Sequence, residues 1–351
     1  MSRSTGIEAG LQRIWSGEAR GIGTELVRLA LLPPALLYGG VVRLRNLAYD
    51  VGISRSHAAT PRIVTIGNLT AGGTGKTPMV EWVVRKLLDD AHPVAILSRG
   101  YGLDQDGLND EARVLRATLP DVPHLLGSDR VANAERAAQE GARVVVLDDG
   151  FQHRRLRRDL DIVLLDASAH RRAYHGLPLG TMRESFRGLG RAGFVVFTRV
   201  DHADPENLDW LRARVERASP GIPTADAVHG VSGLVDLATG EAIDADDRCV
   251  YAFCALGNPG AFERTVRSLG VRCLGASRFG DHHHYTQGDV EAIEREAAAA
   301  GATALVTTRK DAVKIDPAWC GLPILVLEIA MQIRRGEAEL LDAVRSAVGP
   351  A

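Results

Sequence analysis

The sequence predicts an α/β protein, a parallel sheet covered by helices, on three observations. A β-branched run, Ile63-Val64-Thr65-Ile66, leads straight into a glycine-rich loop and then into a helical pattern. Short apolar runs follow, "PVAILS" (93–98), "ARVVVLDD" (142–149), "LDIVLLDAS" (160–168) and "GFVVFTRVD" (193–201), separated by polar, helix-compatible stretches, as buried parallel strands and their crossovers are. After a change of texture at 220–247 the alternation resumes with "CVYAFCAL" (249–256), "VRCLGAS" (271–277), a helix near "DVEAIEREAAAA" (289–300), "ALVTT" (304–308) and "PILVLEI" (323–329).

The glycine-rich loop lies in "TIGNLTAGGTGKTPMVEW" (65–82). A strict phosphate-binding loop, G-x-x-x-x-G-K-[ST], would need glycine where Thr70 stands. The underlying physics needs less: inward-turned backbone N–H groups, a cation, and a hydroxyl at a helix N-terminus. Thr70-Ala71-Gly72-Gly73-Thr74-Gly75 can form the turn, Lys76 supplies the cation and Thr77 the hydroxyl. Val80, Val83, Val84, Leu87 and Leu88 continue at helical spacing, and Pro78 sits where a first helical turn tolerates proline. A merely structural glycine turn would not require Lys-Thr at the helix start, so nucleotide binding is the expectation, on a P-loop NTPase-like α/β/α unit.

Composition narrows the class. The chain has 351 residues, 45% hydrophobic, with a formal net charge of −2, which suits one large or two medium globular domains and no nucleic-acid partner. Of 42 basic residues only four are lysine, at 76, 86, 310 and 314, so the loop lysine is a rare choice. Cys249, Cys254, Cys273 and Cys320 lack paired C-x-x-C spacing and read as buried reduced thiols in a cytosolic compartment.

The N-terminus lacks a signal-peptide pattern, and no stretch reaches about 18 uncharged residues, so no membrane crossing is expected. Yet Leu29 to Val42 is an uncharged apolar run bracketed by Arg28, Arg43 and Arg45, the arrangement of a segment lying in a bilayer interface. A core helix pair broken at Pro33-Pro34 accounts for it equally well. At 220–247 the text reads as a connector with a hairpin around Thr239-Gly240.

"VVVLDD" places Asp148 and Asp149 at a strand end beside the loop, where carboxylates can hold a metal or its waters. Many parallel strands end in an Asp cap, but beside Lys76-Thr77 the pair completes an ATP–Mg²⁺ site. Arg154, Arg155, Arg157 and Arg158 follow, read mainly as a solvated face and, more pointedly, as a surface for an anionic substrate or membrane. A GTPase switch would need D-x-x-G, but Leu147 stands at its Asp position, and "TRVD" (198–201) is a poor guanine-reading motif. A membrane-partitioning ATPase needs a signature lysine where Ala71 stands. A kinase is the remaining reading, with a membrane-associated P-loop ATPase or GTPase switch as the alternative.

"PPALLYGGVVRLRNLAYD", "TIGNLTAGGTGKTP", "SRGYG", "NDEA", "DDGFQHRRLRRDLDIVLLD", "LPLGTMRES", "FGDHHHYT" and "TTRKDAVKI", in that order, together resemble the tetraacyldisaccharide 4'-kinase family of Gram-negative bacteria over nearly the whole chain. That family's loop also lacks the first P-loop glycine. The resemblance implies transfer of the γ-phosphate of ATP to the 4'-hydroxyl of tetraacyldisaccharide 1-phosphate, giving lipid IVA in lipid A biosynthesis, with Mg²⁺ as cofactor. It implies two α/β/α units joined by a two-stranded β connector: an interfacial helical segment (1–60), an ATP-binding unit (61–222), the connector (223–247) and a smaller C-terminal unit (248–351). It also implies a monomer on the cytoplasmic face of the inner membrane, peripheral, whose partners are the lipid substrate and that membrane surface.

By the same resemblance Lys76 and Thr77 hold phosphates and magnesium, and Glu111, Asp148 and Asp149 are the carboxylates around the metal. Arg99, Tyr101, Arg130, Gln152, His153, Arg183 and Glu184 match further active-site positions. Two departures are Ala112, where the family usually has proline, and Asn109, where it commonly has glycine. The proton of the acceptor hydroxyl needs a base, and Asp110 supported by a histidine suits it; the family's D-H pattern selects His282 from His282-His283-His284. Three consecutive histidines cannot all point at one metal ion from a strand.

Overall fold

The computed structural model describes residues 6–100, 110–256, 259–280 and 283–351. Two helices open the chain, α1 (Gly6–Trp15) and α2 (Ile22–Asp50). The strands are β1 (Arg62–Asn68), β2 (Val94–Ser98), β3 (His124–Leu126), β4 (Val144–Asp148), β5 (Leu160–Asp166), β6 (Phe194–Thr198), β7 (Thr224–Asp236), β8 (Ala242–Ile243), β9 (Cys249–Cys254), β10 (Arg272–Arg278), β11 (Ala304–Thr308) and β12 (Ile324–Arg335). They form one mixed sheet in the order β10-β9-β11-β12-β7-β6-β5-β1-β4-β2-β3, with β8 attached to β7. Every pairing is parallel except β7 with β12 and β7 with β8.

Continuous apolar runs make sense in such a sheet because both faces are covered. Val64 and Ile66 of β1 enter one core cluster with Val146 and Ile162, while Ile63 enters the opposite one with Val145 and Leu147. Helix α3 (Lys76–Asp89) seals the first face through Met79, Val80, Val83, Val84 and Leu87. On the other, α5 (Arg130–Gln139) buries Ala134 and Ala137, and α6 (Pro205–Ala218) buries Leu211 and Val215. The helix α4 (Asp110–Thr118) packs Leu115 into the same cluster as α3. In the later half α7 (Pro259–Arg267) covers one side of β9 and β11 and α8 (Gln287–Ala299) the other, followed by the short α9 (Arg309–Ala312).

The two strands that run between the halves are β7 and β12. Their antiparallel register extends from Leu325 opposite Asp236 to Arg335 opposite Asp226. The sequence pattern ended this strand near Ile329, because its second half is polar; backbone pairing with β7 carries it on, and Met331 alone of residues 329–335 is buried. The hairpin at Thr239-Gly240 forms, with β8 as its short return. Helix α10 (Glu337–Val348) crosses back and buries Leu340, Val344 and Val348 against Val64 and Ile162. The end of the 248–351 segment thus packs on the first half, a non-local contact that the local pattern does not encode. Among the four cysteines Cys254 is buried and the other three are half-buried, all as free thiols.

Helix α2 is one helix, not a pair: it runs through Pro33 and Pro34 for 29 residues, and Ala35 is its buried residue. Thr24, Arg28, Leu31, Ala35, Tyr38, Val42, Asn46 and Tyr49 recur every three or four positions as the stripe turned to the protein. The leucines face away, with Leu36 67%, Leu37 72% and Leu44 69% exposed. The core-packing account of this segment fails on that exposure. The uncharged run understated the element, since the helix continues through the flanking arginines and by length and composition alone suffices to cross a membrane.

Candidate active site

The loop between β1 and α3 is braced from beneath. Asn68 Nδ2 donates to Thr74 Oγ1 at 3.0 Å, Thr198 Oγ1 at the end of β6 donates to the Thr74 carbonyl at 2.9 Å, and Ala71 N donates to the Thr181 carbonyl at 2.7 Å. Gly75, the N-cap of α3, has φ 90°, and a Cβ there would lie 2.3 Å from His229 Nε2 on β7, so the turn needs glycine twice over. Burial lowers the His229 imidazole to about 4, leaving it neutral behind the loop. Lys76 and Thr77 then start the helix, where backbone N–H groups point outward to an anion.

Facing the loop, Asp149 sits at φ 49° just beyond β4. Its carboxylate lies 3.6 Å from Lys76 Nζ and 2.8 Å from an Arg183 nitrogen. Burial works to raise this carboxyl, but the Lys76 and Arg183 charges outweigh it and hold it below its usual value. Arg130 ties the turn by donating to the Asp148 and Asp149 carbonyls, each at 3.1 Å.

Asp148 is different. It is buried, and its Oδ1 has no hydrogen-bond partner among the described residues. Burial, with the Glu111 charge next in size, pushes its pKa up to about 7 despite Lys76. An unsatisfied buried carboxylate oxygen beside Asp149 and within reach of the Glu111 charge fits a hard cation such as magnesium.

The sign of that shift gives a stability test. An acid whose folded pKa exceeds its unfolded value of 3.8 weakens folding as pH rises from near 4 through about 7. Asp148→Asn should therefore stabilise the nucleotide-free protein while abolishing its activity. The gain at pH 8 should exceed that at pH 5 by on the order of 3 kcal/mol, from ~1.4 kcal/mol per pKa unit over the two units between pH 5 and about 7. Denaturant midpoints at the two pH values read it, and a gain independent of pH would contradict the shift.

The other candidates divide. Glu184 is buried and accepts hydrogen bonds from Asn46 Nδ2 at 3.1 Å, Gln152 Nε2 at 2.9 Å and an Arg191 nitrogen at 2.9 Å. With both oxygens so engaged, Glu184 braces the floor of the site. Gln152 also donates to the Asn68 carbonyl at 2.8 Å, bracing the loop. His153 is half-buried, with no partner for Nε2 among the described residues, its pKa lowered to about 4 by burial and then by the neighbouring arginines, Arg130 first. Arg99 lies exposed at the end of β2, close enough to Arg130 for their charges to interact. Arg154 is bound to Asp50 at 2.7 Å and Arg158 to Asp161 at 2.9 Å, so these two arginines hold structure. Tyr101 and His282 lie outside the described residues.

Helix α2 is fastened to the rim of this site. Tyr38 Oη donates to the Arg183 carbonyl at 3.0 Å, Arg45 to the Gln152 carbonyl at 2.8 Å, and Asn46 to Glu184. From the other side, Lys314, just after α9, lies 2.7 Å from Asp110 Oδ2 at the start of α4. His283 is locked by stacking on Phe279 at 4.7 Å between centroids and by a 3.2 Å contact with Asp289. Lys314 escaped the sequence reading although two signals marked it: the scarcity of lysine, and its place in "TTRKDAVKI". Asn68, Thr198 and His229 carried no local signal.

A phosphate loop on β1, with carboxylates at the end of the neighbouring β4, defines a P-loop nucleotide-binding enzyme. A family model described as "Tetraacyldisaccharide-1-P 4'-kinase" matches residues 27–348, and the chain belongs to that family. It is 39% identical to the tetraacyldisaccharide 4'-kinase of Anaeromyxobacter dehalogenans (strain 2CP-C), over 95% of this chain and 94% of that one. With the same-named protein of Syntrophus aciditrophicus it shares 35% identity over 92% and 94% of the two chains. A crystal structure of LpxK from Aquifex aeolicus in complex with ATP superposes with a TM-score of 0.73 at 26% identity, covering 92% of this chain and all of that one.

Proposed function

We propose that this chain is an ATP-dependent kinase that phosphorylates the 4'-hydroxyl of tetraacyldisaccharide 1-phosphate, forming lipid IVA for lipid A. The observation that carries the reading is that Lys76 at the start of α3 meets Asp149 and acts on the buried Asp148, with the Glu111 charge also reaching Asp148, in a chain of this family. The loop N–H groups and Lys76 bind the phosphates of ATP, and Lys76 meets the charge that develops on the transferred group. Thr77, Asp148, Asp149 and Glu111 are the residues that would hold Mg²⁺, which supplies positive charge between the phosphate oxygens when bound. Asp110, assisted by His282, accepts the hydroxyl proton. By the family resemblance Arg99, Tyr101, Arg130, Gln152, His153, Arg183 and Glu184 serve the acceptor, and Gln152 and Glu184 also brace the loop. Domain limits of 61–222 for the ATP unit and 248 onward for the second belong to the same proposal.

The acceptor carries acyl chains, and the outward leucines of α2 are where the protein would meet its bilayer. In this reading the enzyme is a monomer lying peripherally on the cytoplasmic face of the inner membrane, with α2 in the interface, Tyr38 of its inner stripe bonded to the Arg183 carbonyl and the flanking Arg45 to the Gln152 carbonyl. Changing Leu36, Leu37 and Leu44 together to glutamate should release the protein from anionic lipid vesicles and raise KM for bilayer substrate by at least about tenfold, with ATP binding kept. Unchanged sedimentation with vesicles would remove the interfacial role.

The direct assay incubates purified protein with ATP and tetraacyldisaccharide 1-phosphate in mixed micelles and follows the product by mass spectrometry. A product one phosphate heavier at the 4' position is expected. Nucleotide hydrolysis without any phosphorylated lipid would favour the ATPase or GTPase alternative.

A further inference from the structure

Lys314 lies far from the phosphate loop in sequence, yet its ammonium touches Asp110. Its side chain is 5% exposed and Asp110's 11%, and the two meet at 2.7 Å. The same ammonium donates to the His283 carbonyl at 3.4 Å, so one side chain links the start of α4 in the first half to the histidine segment of the second. Its base is rigid. Asp311, fully buried, accepts from Thr308 Oγ1 at 2.7 Å and Ala255 N at 3.2 Å, and Lys314 N donates to the Asp311 carbonyl at 3.0 Å.

A buried ion pair is a poor device for stability alone, because desolvating two charges offsets their attraction. The choice of lysine is also specific in a chain where 38 of 42 basic residues are arginine. An arginine fork engages both oxygens of a carboxylate, whereas an ammonium engages one at a time and leaves the geometry of the other to its surroundings. From these observations we infer that Lys314 is a positioning residue for phosphoryl transfer: it aims the Asp110 carboxylate and pins the His283 segment beside it, so that the second half of the chain completes the site. This rests on the reading of Asp110 as the proton acceptor.

The test uses the full-length protein with ATP and lipid acceptor. Lys314→Met should lower kcat by about a hundredfold, the scale of a misplaced catalytic group, with ATP affinity and KM for ATP within about threefold of wild type. Lys314→Ala should regain part of its rate in propylamine, a readout that lost packing would not give. Adding Lys314→Met to Asp110→Ala should cost little beyond Asp110→Ala, because Lys314 acts through that carboxylate. Circular dichroism and ATP affinity establish that each variant is folded. A folded Lys314→Met enzyme of wild-type rate overturns the inference, as do fully additive losses in the double variant. Wild-type rate in Asp110→Asn would overturn the base reading itself, and is distinguishable because it needs no change at Lys314.

Discussion

Replacing Lys76 by alanine is expected to leave a folded protein that transfers phosphate about 10³-fold more slowly, the upper part of the range for removing one charge aimed at a developing anion. The side chain is 10% exposed and stands at the first position of α3, between the phosphate turn and Asp149. Folding should tolerate the loss, because Asp149 keeps Arg183 at 2.8 Å and the loop keeps its braces from Asn68 and Thr198. Lys76→Arg should not rescue the rate: the guanidinium is bulkier than the ammonium and its donors spread in a plane. Turnover and thermal unfolding of the two variants check this. Activity within a few-fold of wild type in Lys76→Ala would mean that the loop is not where the transferred phosphate binds.

How much of this site the sequence revealed follows from what each residue depends on. The phosphate loop was legible although Thr70 breaks the strict pattern, because the turn, cation and hydroxyl are properties of adjacent residues. The strands were legible because parallel strands covered on both faces are apolar throughout, as Val144 to Asp148 is. The inward stripe of α2 was hidden: it is read only once the outward leucines are seen to be exposed. Glu184 was legible only as a match to a family position in "TMRES"; that Asn46, Gln152 and Arg191 donate to its oxygens depends on three-dimensional packing. The same limit applies to α10, whose apolar stripe states that it packs without stating against what, and to Lys314, whose partner lies some 200 positions earlier, at Asp110.

The proton acceptor gives the second large effect. Asp110→Ala and His282→Ala should each slow transfer by about 10²-fold or more, the usual worth of general base catalysis, while leaving ATP binding nearly intact. Asp110 is held at the first position of α4, next to Glu111, whose charge reaches Asp148 at the end of β4; the proposed base and one of the proposed metal carboxylates therefore share one helix start. The histidine follows from the family resemblance; its neighbour His283 is linked through Lys314 to Asp110. If the two side chains act as one unit, the loss in the double variant should be little more than the worse single loss, because removing either member already disables the pair. ATP affinity, measured separately, distinguishes a catalytic loss from a binding one. Strictly additive losses, or a His282→Ala enzyme of normal rate at every pH, would dissolve the dyad and leave Asp110 to act alone or with a different partner.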